Sequence, residues 1–535
     1  MRTNLFKQMA CSITIIAGLL LASCSNENLG IDENNPDETP TEKGYISMSI
    51  INSAVANNTR AYGGTVTGTA EEGKVNSAMV VLYNAATNKV AYRFILDLTT
   101  EGLASKKDIY DITDSKYTTQ PKEVARKDYK LAVFLNYPET LVTLTEPGSA
   151  LSALQNPVSM SVESLIGTNK DNFLMSNFAG LININNGNIK MTKEEAIGAP
   201  VHLYVERAVA KIQVLLDSNF NTSNSTSGLR WQVDVVRKKT YWMRKQTKRL
   251  QDASGSGALI DEEVGIDHAM RIYMYAESPN YSQISASYWD YQTNVLGKDL
   301  GYGKPNPADH YTYITDTANV NLMAKSKSGS GDITYVLENT MAPEEQWEDV
   351  TTSILVRVYY QPKGGTALGG PLGKDGGTYF VYKNRYVFSC EEMEKIYSGT
   401  HEGWANLEAK NSDIKGFRDY IRSPEVSEIF GGANKDYVDI PDKSIQEGDL
   451  IFRLSNNLQF YRIPIRHFSN ALQPVPMGYG RFGVVRNNMY KLTINGVNAL
   501  GDLEIPPKDK VDEGALLSVK FEILPWITRD QGVIL

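Results

Sequence analysis

Cysteine is almost absent from this sequence: Cys11, Cys24 and Cys390 are all there are in 535 residues. That excludes a four-cysteine zinc centre and a disulfide-stapled fold. Histidine is nearly as scarce, with His202, His268, His310, His401 and His467 scattered along the chain. None sits in an HExxH pattern, and His401-Glu402 has no second histidine following it. No GxSxG and no clustered nucleophile–base signature occurs. The run Gly364–Asp375 fails as a phosphate loop, because Leu368 stands where its first glycine is required and Asp375 where Ser or Thr would bind magnesium. Neither sign of charge dominates, at 54 basic against 62 acidic residues, and a net charge of −8 argues against nucleic acid as the main partner. The reading is therefore a non-enzyme with no metal site and no cofactor. Only a glycosidase-type carboxylate pair, which assembles solely in the fold, is left open.

Long apolar runs are missing too. Ile13–Leu21 is shorter than the about 20 residues a membrane-spanning helix needs. With Arg2 and Lys7 before it, this is the apolar part of an export signal. It ends in Leu21-Ala22-Ser23-Cys24, which resembles the bacterial lipobox. Residues 1–23 are expected to be a lipoprotein signal peptide, with Cys24 lipidated and the precursor held at the outer membrane by its acyl chains. Residues 24–43 follow as an acidic linker carrying Glu27, Asp32, Glu33, Asp37, Glu38 and Glu42, with little to bury.

What the chain does have is β alternation. After Gly44, Ile46, Met48 and Ile50 alternate with Ser47 and Ser49, predicting a short strand. A soft polar segment then ends at Arg60, followed by Ala61, where a trypsin-like protease would cut. Strands are predicted at Val75–Tyr83, Lys127–Asn136, Trp231–Val236, Tyr335–Leu337, Thr352–Tyr360, Thr378–Val381, Gln459–Ile465 and Met489–Ile494. Helical periodicity is weak. Ser152–Ile166 and Lys193–Ile197 read as short helices or loops, and Glu391–Tyr397 and Asn411–Tyr420 as the best short helices. Val201–Leu215 reads as one long strand opening a second domain, with Gly198-Ala199-Pro200 as the boundary. The expected fold is mainly β: two antiparallel β-sandwich domains, 61–199 and 200–535, with long loops and a few short helices.

The end of the chain alternates as well. Val519, Phe521 and Ile523 face one way before Pro525 interrupts the ladder. Beyond it lie Trp526, Ile527, Val533, Ile534 and Leu535. Such an apolar ending reads either as a strand tucked into its own domain or as one offered to the sheet edge of a neighbour. One basic cluster, Arg237, Lys238, Lys239, Arg244, Lys245, Lys248 and Arg249, reads as a solvated strand edge. An anionic glycan or an acidic patch on a neighbouring subunit is the alternative use for it.

Six motifs in order, Leu21-Ala-Ser-Cys24, Asn57-Asn-Thr-Arg-Ala61, Glu206-Arg-Ala-Val-Ala-Lys-Ile212, Tyr335-Val-Leu-Glu-Asn-Thr340, Arg486-Asn-Asn-Met-Tyr490 and Leu524-Pro-Trp526, carry a resemblance. Together they resemble the type V fimbrial subunits, and most of all the minor-fimbria stalk-subunit family of anaerobic Gram-negative bacteria. The resemblance implies two transthyretin-like sandwich domains. It implies that residues 44–60, with Ile46, Met48 and Ile50, are a propeptide strand removed by an arginine-specific protease at Arg60–Ala61. It further implies that residues 526–535 are a donor strand that fills the vacated groove of another copy, with accessory tip and anchor subunits completing the filament. The rival expectation is a monomeric surface lipoprotein that binds glycans on Trp231, Trp242 and Trp289.

Overall fold

A computed structural model describes residues 42–52, 68–113, 116–178, 180–216, 230–245, 249–251, 259–261, 276–279, 310–314, 324–325, 333–341, 350–359, 379–382, 386–424, 451–454, 458–467, 482–497, 505 and 517–525. It is mainly β, as the alternation predicts. Two strands open it, β1 (Lys43–Ile46) and β2 (Met48–Asn52), followed by β3 (Ala78–Asn84), β4 (Val90–Leu96), β5 (Ile109–Thr113), β6 (Lys116–Thr119), β7 (Lys122–Ala125) and β8 (Tyr129–Leu135). Next come the short β9 (Val158–Ser159), β10 (Met175–Asn177), β11 (Ile182–Ile184), β12 (Val201–Arg207), β13 (Val209–Leu216) and β14 (Arg230–Asp234).

The first sheet has the order β4-β3-β8-β10-β12-β2-β6-β5, with β11 also on β8 and β1 paired separately with β7. β3 and β8 run almost without a polar break and are buried nearly end to end, as interior strands covered on both faces must be. Short helices lie around them. Lys193–Gly198 starts in a capping box: Thr192 Oγ1 accepts from Glu195 N at 3.2 Å, and Glu195 Oε2 accepts from Thr192 N at 3.2 Å. The stretch expected to be helix or loop at 152–166 gives two five-residue helices, Leu151–Gln155 and Val162–Ile166, with β9 between them.

A second core sits between two four-stranded sheets. One is Ile333–Leu337, β13, Asn488–Val497 and Leu517–Pro525; the other is Ala324–Lys325, β14, Ser353–Tyr359 and Leu458–Pro464. Ile212, Val214, Leu492 and Ile494 from the first meet Trp231, Ile354, Val356 and Ile463 from the second, which makes this unit a sandwich. A third, aromatic core is built from Tyr379–Tyr382, Tyr386–Ser389 and three helices, Cys390–Ser398, Trp404–Lys410 and Phe417–Ile421. It lies between Ser353–Tyr359 and Leu458–Pro464 in sequence, and those strands end with Tyr359 opposite Leu458. The insertion thus leaves and re-enters the sandwich at adjacent points.

Two features differ from the sequence reading. The ladders are antiparallel except at β2–β12 and β13–Asn488–Val497, which are parallel. Val201–Leu215 is not one strand: β12 belongs to the first sheet and β13 to the second. The chain changes core at Ala208–Ala210, not at Gly198–Pro200. The reason is visible in the side-chain parity. Leu203 and Val205 face the first core, whereas Ala210, Ile212 and Val214 face the second, and a shift of one residue turns a strand over.

Candidate functional site

Residues 43–52 form two successive strands, β1 and β2, each held by ladders. β1 pairs with β7 from Lys43 opposite Ala125 to Ile46 opposite Lys122. At Ser47 the chain steps into the main sheet, where β2 lies between two partners. On one side it runs parallel to β12, Met48 opposite Val201 through Asn52 opposite Val205. On the other it is antiparallel to β6, Ser49 opposite Thr118 and Ile51 opposite Lys116. Ile46, Met48 and Ile50 are each 0% exposed and part of the first core. Burial of three such side chains contributes about 1.5–3 kcal/mol apiece.

Polar clasps reinforce the ladders. Ser47 Oγ donates to Thr119 O at 2.8 Å, and Met48 N donates to Thr119 Oγ1 at 3.0 Å. Tyr45 and Lys190 exchange main-chain bonds of 2.7 and 2.8 Å. Gly44 is packed so closely that a Cβ would stand 2.6 Å from Lys190 O, so no larger residue fits without moving the main chain. At the far end Asn52 Nδ2 donates to Gly73 O at 2.7 Å, tying the strand to the segment beyond residue 60. The other expected site residues, Cys24, Arg60, Ala61, Trp526, Ile527, Val533, Ile534 and Leu535, lie outside the described residues.

The three internal motifs converge on a buried polar junction where the two cores meet. Glu72 Oε1 accepts from Lys211 Nζ at 2.7 Å and from Tyr335 OH at 2.6 Å, and Arg207 Nε donates to Glu72 O at 2.8 Å. Glu206 Oε2 accepts from Arg244 at 2.6 Å, and the same guanidinium donates to Arg486 O at 3.1 Å. Arg486 N donates to Glu338 Oε2 at 3.1 Å, and Asn487 N to Val209 O at 2.8 Å. Burial lowers the Arg207 guanidinium to about 10, with Glu72 opposing that shift. Burial also raises the Tyr335 hydroxyl, and its bond to Glu72 adds to the rise. These motifs are structural: they lock one core to the other. Glu72 and Arg244 act here without belonging to any of the six motifs, and nothing in local spacing marks them.

The basic cluster is not a solvated edge. Arg237 is buried; its Nε donates to Asn339 Oδ1 at 3.1 Å, its Nη1 to Pro279 O and its Nη2 to Tyr311 OH at 2.8 Å. Arg244 packs over Phe178 and pairs with Glu206. Only Lys238 and Lys245 of the described members are exposed, and Lys245 pairs with Glu277 at 2.9 Å. Trp231 and Trp242 are each 1% exposed, so neither offers a face to a sugar; Trp289 lies outside the described residues. Among the described residues no group of three or more His, Cys, Asp or Glu is placed to hold a metal, and no helix is long and apolar enough to cross a membrane.

Residues 455–532 match the family described as major fimbrial subunit protein type IV, fimbrillin, C-terminal. The C-terminal region is thus similar to the C-terminal region of fimbrillins. The fimbrial-subunit resemblance of the six motifs is met here, across Leu458–Pro464, Asn488–Val497 and Leu517–Pro525. No curated protein matches the chain. Solved structures that are similar include a protein from Parabacteroides distasonis assigned to cell adhesion, 14% identical with a TM-score of 0.40, covering 91% of this chain and 98% of that one. A fimbrilin from Porphyromonas gingivalis is 12% identical, TM-score 0.39, covering 91% and 98%. The tip fimbrial protein Mfa3 of the same species is 10% identical, TM-score 0.34, covering 91% and 100%. Likenesses of this degree say nothing about partners or chemistry.

The fimbrillin region also holds a titrating pair. His467 Nδ1 lies 2.7 Å from Tyr490 OH, whose oxygen accepts from Val485 N at 2.7 Å. Burial, with a smaller push from Arg244, lowers the imidazole to about 3. A depressed histidine is neutral in the fold but binds a proton in the unfolded chain below its ordinary value near 6.5, so stability falls as pH falls from there. Between pH 7.5 and 5 the loss is expected to be roughly 2 kcal/mol at most, because the residue is only partly buried by area. Urea midpoints at the two pH values check this, and His467→Gln should remove most of the difference.

Proposed function

We propose that this chain is the shaft subunit of a surface fimbrium, a structural protein that polymerises by strand exchange and supports adhesion. The observation that carries the reading is the position of residues 43–52. Within them β2 is an interior strand of the first sheet, between β12 and β6, and β1 pairs with β7, yet they precede a soft segment with a single basic residue, Arg60. Cutting at Arg60–Ala61 frees that strand and, with it, the lipid on Cys24. The vacated slot then takes residues 526–535 of another copy, from Trp526 and Ile527 to Val533, Ile534 and Leu535. Ile527, Val533, Ile534 and Leu535 of that donor contribute roughly 6–12 kcal/mol before the cost of ordering it. A head-to-tail contact of this kind does not close on itself and so builds a filament.

In this reading the precursor is an outer-membrane lipoprotein, a trypsin-like arginine-specific protease triggers assembly, and accessory tip and anchor subunits end the filament. Residues 44–60 are the strand that is lost, and the rest of the chain divides into two domains where it changes core, at Ala208–Ala210. The test is the N-terminal residue of protein taken from the cell surface, read beside a non-boiled gel. Ala61 with a high-mass ladder supports the shaft reading. An acylated Cys24 with one monomer band sinks it and leaves an anchor subunit or a monomeric lipoprotein.

The discarded strand also predicts a split between precursor and product. Met48→Ala should destabilise the precursor by about 2–5 kcal/mol, seen as a lower Tm. Filaments assembled from the same variant should melt as wild type does, because position 48 is no longer in them.

A further inference from the structure

β5, β6 and β7 form one continuous unit, residues 105–126, whose attachment to the rest of its domain is peculiar. Among the described residues β5 pairs only with β6, β6 otherwise only with β2, and β7 only with β1. Every main-chain ladder between this unit and the first domain therefore runs through residues 43–52. The polar clasps follow the same route. Thr119 holds Ser47 and Met48, Arg126 N donates to Glu42 O at 2.8 Å, the Arg126 guanidinium reaches Glu42 Oε2 at 2.8 Å, and Lys43 pairs with Glu123 at 3.1 Å.

What holds the unit apart from that strand is concentrated at its two roots. Asp97 N donates to Asp108 Oδ2 at 3.0 Å and Lys107 pairs with Asp97 at 3.3 Å. At the other root Ala125 N donates to Tyr92 OH at 3.0 Å and Tyr129 OH to Ala125 O at 2.9 Å. The buried Asp108–Lys122 ion pair ties the roots of the unit to each other. Ile109, Val124 and Tyr117 supply its apolar contact with the core.

We infer that residues 105–126 are a flap latched by the first strand, and that the edges of β6 and β7 together with the edge of β12 are the docking surface for the extended end of a second copy. This rests on the strand-exchange reading above. Loss of residues 42–52 removes at once both ladders that join the flap to the domain and leaves it on its roots, while β6 and β12 each gain an unpaired edge. Unpaired edges recruit strands. The incoming strand docks from the side as the flap swings and re-latches it, so it is not threaded end-on through a closed slot.

Amide hydrogen exchange across residues 116–125 tests this on the full chain. It compares Arg60→Ala protein, which keeps its first strand, with wild-type chain cut after Arg60 and freed of the excised strand. The flap predicts exchange at least about tenfold faster in the cut monomer, with β3 and β8 unchanged and protection restored in the polymer. Exchange that stays at the uncut rate overturns the flap and leaves a rigid, preformed slot, whether or not the chain polymerises. A cut chain that opens at 116–125 yet never polymerises supports the flap and defeats strand exchange instead. Thr119→Val, which loses only the bond from Met48 N, should speed assembly after cutting about fivefold, and Thr119→Ser should restore the wild-type rate. An unchanged rate in Thr119→Val overturns the latch.

Discussion

An Arg60→Ala chain is expected to fold normally and to run as a single band on a non-boiled gel where wild type gives a ladder. The physical reason is the tether. A strand joined to its own slot sees it at an effective concentration of order millimolar or more, and a free competitor loses to it. β2 is moreover paired on both sides, and Ile46, Met48 and Ile50 are fully buried, so spontaneous release is rare. Polymer yield should drop about a hundredfold or more. Arg60→Lys should retain assembly only with a protease that accepts lysine. A ladder of wild-type intensity from Arg60→Ala would show that excision at this bond is not what starts assembly.

The second large effect is expected at Glu72. Its carboxylate accepts from the Lys211 ammonium and the Tyr335 hydroxyl, and the Glu72 and Lys211 side chains are 3% and 4% exposed. Glu72→Ala removes that acceptor where little water reaches, and breaking one side of a buried pair costs about 3–5 kcal/mol. The loss should appear as a large fall in urea midpoint. Glu72→Met combined with Lys211→Met should recover much of it, because two apolar side chains leave no buried charge in need of a counter-ion. Double variants no more stable than Glu72→Ala would mean that the pair does more than neutralise itself. Glu72 follows Arg60 closely in sequence, so this contact also fixes the new start of a processed chain to both cores.

Much of this architecture could be read from the residues alone. Alternation marks Ile46, Met48 and Ile50, and unbroken apolar runs mark Ala78–Asn84 and Tyr129–Leu135, because strand periodicity follows directly from which faces are covered. The crossing at Ala208 was legible in principle, since the apolar parity slips from odd to even positions around Arg207. It is masked by the length of the run. What could not be read is whatever long-range pairing decides. β5, β6 and β7 are short and polar; β6 and β7 are strands because β2 and β1 lie beside them, and β5 because β6 does. Arg237 and Arg244 look like surface charge until Asn339, Tyr311 and Glu206 arrive from distant parts of the chain. Near Asn411–Tyr420 the expected helix divides at Gly416, whose φ of +81° ends one turn before Phe417–Ile421 begins.

The crossing at Ala208 bears on how a filament of such subunits carries a pull. In the proposed filament, tension handed over by a neighbour's strand lying in the place of β2 would enter β12, its ladder partner. It passes along the covalent chain through Ala208 into β13, and from there by ladder to Asn488–Val497 and Leu517–Pro525. Leu517–Pro525 precedes in sequence residues 526–535, the proposed donor. In that filament the load would run through these ladders and the covalent link at Ala208, so the β pairings rather than the loops would bear it.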